Sequence, residues 1–108
     1  MIIDPDTGLH ALIKQPGEAR LYHIPFTQEL RTGETISSVT SVTQTNMGEV
    51  TGSTALTIGT PTLNASADIV QVRISAGTDG EHYKITATVA TSQSDTIEVD
   101  VMLYVDDL

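Results

Sequence analysis

Ile97-Glu98-Val99-Asp100-Val101-Met102-Leu103-Tyr104-Val105 is the most regular stretch of the chain. Ile97, Val99, Val101, Leu103 and Val105 fall on every second residue, with Glu98, Asp100, Met102 and Tyr104 between them. A period of two puts one set on a buried face and the other on an outer face, so the stretch reads as a strand. The two segments before it repeat the pattern. Val70, Val72, Ile74 and Ala76 alternate with Gln71, Arg73 and Ser75; Tyr83, Ile85, Ala87, Val89 and Thr91 alternate with Lys84, Thr86, Thr88 and Ala90. Only Gly77-Thr78-Asp79-Gly80 and Ser92-Gln93-Ser94-Asp95 separate the three, and connections this short predict an antiparallel meander. Gly77 and Gly80 supply backbone of positive φ to a hairpin; no helix N-terminus comes after them that would make a phosphate cradle.

Nearer the N-terminus, Arg20 to Phe26 and Thr35 to Thr43 read as strands on either side of Thr32-Gly33-Glu34. In the second, Ile36 and Val39 are three apart, so both face the core only if a β-bulge near Ser37-Ser38 adds a residue. Ala55 to Gly59 is a shorter strand after a polar loop, Gln44 to Thr54, and Pro61 limits the next segment to an edge or turn. With a possible strand at His10 to Lys14 the count reaches seven, the spacing of an immunoglobulin-like, all-β, two-sheet antiparallel sandwich. Pro5, Gly8, Pro16 and Gly17 set residues 1–18 apart as an N-terminal arm, leaving 19–108 as the sandwich domain. Ile2, Ile3, Leu9, Leu12 and Ile13 make this arm too apolar for a disordered tail, so it is expected to pack on its own sandwich or, lacking a strand partner in sequence, on a neighbour.

Composition agrees with this fold class. A chain of 108 residues holds one core. Seventeen Thr, nine Val and ten Ile, all β-branched, favour pleated structure over helix. Fourteen acidic residues against five scattered cations give a formal charge of −9, which argues against phosphate-backbone binding; the excess keeps the domain soluble until a complementary partner surface meets it, and is equally a feature of proteins with no such partner. With no cysteine there is no disulfide framework or thiolate metal site. No apolar run is long enough to span a membrane, and no signal peptide is expected, so synthesis and folding in a cytoplasm is the default.

Motifs for chemistry fall short. Asp4-Pro5-Asp6-Thr7-Gly8 has the acidic spacing of a calcium-loop start but no third acidic ligand and no distant bidentate Glu, so it reads as a polar turn. His10, His23 and His82 lie too far apart to predict a zinc site. No Gly-x-Ser-x-Gly elbow supports a nucleophile. Glu98 and Asp100 share an exposed face, where solvation explains them, and Asn64-Ala65-Ser66 reads as a loop. No cofactor, metal or catalytic residue is expected.

The order and spacing of several motifs resemble the phage fiber-tail adaptor proteins. The matching pieces are Lys14-Gln15-Pro16-Gly17-Glu18; Tyr22 to Leu30 entering Gly33-Glu34-Thr35-Ile36-Ser37-Ser38-Val39; and Ala76-Gly77-Thr78-Asp79-Gly80-Glu81-His82-Tyr83 before the Ile85 to Ser92 strand. The family carries an Asp-Trp pair near Thr27-Gln28 and a second Trp near Ser41. This chain has no Trp, so Ile, Val and Leu must fill its core. The resemblance implies an immunoglobulin-like virion protein, made in the bacterial host cytoplasm and joining tail or fiber components in symmetric copies, without nucleic acid or membrane contact. A carbohydrate- or surface-binding sandwich module and a capsid decoration protein are the alternatives. For an adaptor, the candidate contact residues are Ile2, Ile3, Leu9, Leu12 and Ile13 of the arm, and Met47 and Val50 of the polar loop. Met102 and Tyr104 on the outer face and the acidic Asp106 and Asp107 complete the set.

Overall fold

The alternating segments become strands, and their apolar phases face one another across two sheets. The computed structural model describes residues 2–3 and 10–107, with side chains from Ala11 onward. Among these, one sheet has the order β1 (Ile2–Ile3), β2 (His10–Lys14), β9 (Thr96–Val105), β8 (His82–Thr91) and β4 (Ile36–Asn46). The other has the order β3 (Arg20–Pro25), β7 (Ile69–Ala76) and β5 (Leu56–Ile58), with the short β6 (Thr62–Leu63) also paired to β7. The result is an all-β sandwich. Ile24, Phe26, Val70, Val72 and Ile74 from the smaller sheet meet Tyr83, Ile85, Val89, Val101, Leu103 and Val105 from the larger one in a continuous, fully buried core. Burying a side chain of this kind contributes about 1.5–3 kcal/mol, enough that a strand's phase, once set, cannot slip by one residue.

The last two strands pair as expected, Ile85 opposite Val101 and Val89 opposite Ile97. The meander itself does not form, because β7 pairs with β3 and β5 in the opposite sheet. The connection from Gly77 to Glu81 is therefore a corner between sheets. Both of its glycines do have positive φ, 98° at Gly77 and 86° at Gly80. A Cβ on Gly77 would stand 2.8 Å from a methyl of Leu56 and 3.1 Å from one of Val105, so the chain turns there against packed side chains. Ala76, placed inward by its phase, is instead exposed at the start of this corner with φ 64°.

The bulged strand exists, with register shifts between Ile36 and Ser38 and between Val39 and Ser41, and Val39 opposes Val89. It runs on to Asn46, so the loop after it begins at Met47. The apolar stretch of the N-terminal segment finds a partner within the chain: β2 lies parallel to β9, Leu12 opposite Leu103 and Lys14 opposite Val105. Leu12 joins the core, while Ile2 and Ile3 pair with Ala11 and His10. Leu9 and the acidic turn at 4–8 lie outside the described residues.

Crossing from β2 in one sheet to β3 in the other, the chain makes a self-bonded turn. The amide of Gln15 donates to Glu18 Oε1 at 2.8 Å and the amide of Glu18 donates to Gln15 O at 3.1 Å. Lys14, fully buried, donates through Nζ to the carbonyls of Gln15 (2.7 Å) and Pro16 (3.1 Å). Burial pushes its pKa below the ordinary lysine value, against the raising effect of Glu18.

Candidate functional site

At the end of the sandwich where β8 begins and β9 finishes, three connections meet: the loop 47–55, the corner 77–81 and the C-terminal residues. Glu81 fastens them. Its position two residues before Tyr83 places it in the inward phase of β8, and it is fully buried. Oε1 accepts from the amides of Glu49 and His82, each at 2.9 Å, and Oε2 accepts from the hydroxyl of Ser53. The Ser53 hydroxyl, with the His82, Glu49 and Val50 amides, outweighs burial and lowers the Glu81 pKa to about 2. The carboxylate is thus committed to structure, and its donors leave it no capacity as a proton acceptor near neutral pH.

Other bonds repeat this fastening. Asn46 Nδ2 donates to Ser53 Oγ at 2.8 Å. The hydroxyl of buried Tyr83 donates to Thr54 O at 2.7 Å and accepts from the amide of Thr78 at 2.9 Å. The Gly80 amide donates to Val105 O at 2.7 Å, the Asp106 amide to Lys14 O at 2.9 Å, and the Asp107 amide to Asp79 Oδ1 at 2.9 Å. A polar loop of this length would ordinarily be mobile; here several of its backbone groups, among them the amides of Met47, Glu49, Ser53 and Thr54, are paired.

The rigid end presents a row of large side chains on the outer face. In register across the larger sheet stand Ile13, Tyr104 and His82, and Met47 comes next because its amide donates to His82 O at 2.8 Å. Ile13 is 44% exposed and Met47 46%. Tyr104 packs edge-on against His82 with ring centroids 4.5 Å apart, and His82 Nδ1 lies 3.8 Å from Glu49 Oε1. Asp79, Asp106 and Asp107 stand exposed or nearly so beside the row.

The structure therefore gathers Ile13, Met47, Val50, Tyr104, Asp106 and Asp107 at one end of the molecule. It removes two others from the surface. Leu12 is core, and Met102, expected beside Tyr104 on an open face, is only 4% exposed because it stands in an interior strand between Ala11 and Lys84. The sequence reading missed Glu81 and His82, although Glu81's place in the Tyr83, Ile85, Ala87 phase signalled an inward acid.

The opposite end has its own buried carboxylate. Glu34 accepts from the Arg31 amide at 2.9 Å and from the hydroxyl of buried Thr91 at 2.6 Å, which lower its pKa against the opposing effect of burial. Beside it an open depression of about 340 Å³ is lined by Thr27, Leu30, Arg31, Thr32, Glu34, Ser66 and Asp68. Its volume reaches the lower range of ligand sites, but Leu30 is its one large apolar side chain, and ligand pockets are lined mainly by such residues. His23 is exposed on β3, far in sequence from His82, and no cluster of three metal-ligating side chains occurs among the described residues. Asp100 accepts a hydrogen bond from Thr86 at 2.7 Å across the strands, and the Asn64 side chain staples its own loop to Asp68 and Ile69. No helix among the described residues is long and apolar enough to cross a membrane.

Compared with known proteins, residues 14–104 match the family described as podophage GP4 fiber-tail adaptor protein gp77. No curated protein and no solved structure matches. The matched span runs from Lys14 to Tyr104, so it contains the smaller sheet, β4, β8 and nearly all of β9, with Glu81 and its donors, while β1, the rest of β2, Asp106 and Asp107 lie outside it.

Proposed function

Because this chain belongs to the podophage fiber-tail adaptor family, we propose that it is a non-catalytic joint of the phage tail, docking fiber or tail proteins through the end that carries the Ile13–Tyr104–His82–Met47 row. The convergence of that row with Asp79, Asp106 and Asp107 on connections pinned by Glu81 carries this reading. Pre-ordering matters physically: a loop that is already fixed does not lose conformational entropy when a partner arrives. Apolar and aromatic side chains in a polar rim are the usual makeup of a protein interface, and the acidic rim selects a partner surface rich in Lys and Arg. Such a domain acts in the virion after synthesis in the host cytoplasm, in symmetric copies whose repeated weak contacts add up to firm attachment. The order β4–β8–β9 facing β3–β7–β5 supports an immunoglobulin-like description of the sandwich.

The test is complementation of a phage lacking its own copy. Met47→Glu and the double reversal Asp106→Lys with Asp107→Lys should leave the circular dichroism melt of the purified chain unchanged while reducing its incorporation into particles. The Asp reversal should act in a salt-dependent way, and alanine at His23 should have no effect. Normal incorporation of both altered chains would rule this surface out.

A further inference from the structure

Of the three large apolar side chains exposed among the described residues, Ile13 and Met47 belong to the row at the fastened end, and Leu21 does not. It stands on the other side of the molecule, on the outer face of the smaller sheet. Tyr22 and Ile24 of β3 point into the core, so Leu21 and His23 point out, and Leu21 occupies a phase that calls for a polar residue. Departures of this kind are expected where a side chain serves function rather than the packing of its own domain.

Charge is distributed in the same sense. None of the fourteen acidic residues lies in β3, β5, β6 or β7, whereas two of the five cations do, Arg20 and Arg73. The strands of the smaller sheet therefore carry positive charge in a chain of formal charge −9. Arg73 is directly opposite Leu21 in register, and both are exposed. Arg20 lies 3.8 Å from Glu18 and Arg31 3.4 Å from Asp95, but no carboxylate among the described residues is within ion-pair distance of Arg73. Its guanidinium makes one long bond, from Nη1 to Ala19 O at 3.5 Å. On the other flank Gly59 leaves the arginine uncovered. The Gly59 amide donates to Arg73 O at 2.8 Å, and a Cβ on Gly59 would stand 3.5 Å from the Cβ of Arg73, on the same outer face.

We propose that this face, centred on Leu21 and Arg73, docks a second virion protein through a surface carboxylate that stands beside an apolar side chain. Charge complementarity selects this occupant. An unpaired guanidinium takes a carboxylate in a two-pronged pair, and Leu21 next to it supplies apolar area that keeps water from the pair. A nucleic-acid backbone is repelled by a chain of charge −9, and so is a second copy of that chain. The fastened end offers carboxylates and suits a basic partner; the smaller sheet offers a guanidinium and suits an acidic one. The domain thus sorts its two partners by sign. An adaptor needs two surfaces, so this second one rests on the adaptor role, but it does not depend on the row at the fastened end.

Photo-crosslinking tests it, with a benzophenone residue in place of Leu21 in full chains assembled into particles. Position 21 should capture a virion protein through a peptide that contains Asp or Glu, and a different protein from any captured at position 47. The captured protein, purified, should then bind the full chain, with Arg73→Glu weakening the complex by roughly tenfold or more and Arg73→Gln by less. Gln93→Glu, which also adds negative charge but at an exposed site on the far end, should leave the affinity unchanged. The circular dichroism melts of all three variants should match that of the unaltered chain. Capture of DNA, of a second copy or of the protein that position 47 captures would overturn the proposal, as would no capture at all or an affinity indifferent to both Arg73 changes; none of these results would by itself remove the row at the fastened end.

Discussion

The two long sides of the sandwich are closed to different degrees. On one, β2 and β3 are joined by the Lys14–Glu18 turn, Tyr22 donates across the seam to Ile13 O at 3.3 Å, and Leu12 and Tyr22 are 8% and 7% exposed. On the other, Val39, Val42, Ile58 and Leu63 remain partly open; there the Leu56 amide donates to Gln44 Oε1, and Asn46 Nδ2 donates to the carbonyls of Ser53 and Thr54. The same kind of β-branched and aliphatic residue lines both sides. What differs is how far the seam is covered: Leu12 and Tyr22 close one side, and partly buried residues line the other.

The same substitution on each side should expose this difference most strongly. Leu12→Asp buries an unpaired carboxylate, costs several kcal/mol against a total of about 5–15, and should unfold much of the population at ambient temperature. Val42→Asp can turn its charge toward water and should cost only about 1–2 kcal/mol in the isolated chain. Equal losses in a denaturant titration would show that the open side is as tightly packed as the closed one.

Acid should release the loop 47–55 that borders the open side, because that loop hangs on Glu81. The folded pKa of Glu81 is about 2 against an ordinary 4.5, so its contribution is complete above that ordinary value and is lost as pH falls toward 2. Glu34, also depressed, acts in the same direction at the far end. Glu81→Gln should lower the melting temperature by several degrees near neutral pH and flatten the decline in stability between roughly pH 4.5 and 2. Limited proteolysis should then cut the loop 47–55 before any other segment. An unaltered acid profile in this variant would remove Glu81 from its fastening role. Tyr22→Phe should have the smallest effect, about 0.5–1 kcal/mol, since its long bond at the closed seam is one contact among many there.

Period-two alternation made β7, β8 and β9 legible in the sequence, and the three-residue spacing of Ile36 and Val39 revealed the bulge. What alternation does not encode is which sheet a strand joins. A short connection such as Gly77 to Glu81 closes a hairpin or crosses the core equally well, so β7 read as a neighbour of β8 when it lies opposite. The parallel pairing of β2 with β9 joins segments about ninety residues apart and leaves no local signal. The candidate surface was legible in part: Met47, Tyr104, Asp106 and Asp107 lie together at one end of the sandwich, but Met102 is covered by its neighbours in register. Glu34 and Glu81 share a mark that is readable in retrospect. Each stands two residues before the first inward apolar residue of its strand, Ile36 and Tyr83, and so enters the molecule with its donors already around it.

Docking of other tail components at the Glu81 end is decided by a photo-crosslinking residue placed at Met47 or, for contrast, at Gln93 on the opposite end, in chains assembled into particles. The Met47 position should crosslink to a tail or fiber protein identified by mass spectrometry, and the Gln93 position should give no such product. Crosslinks to those proteins from Gln93 with none from Met47 would place the docking surface at the wrong end of the sandwich and refute the assignment.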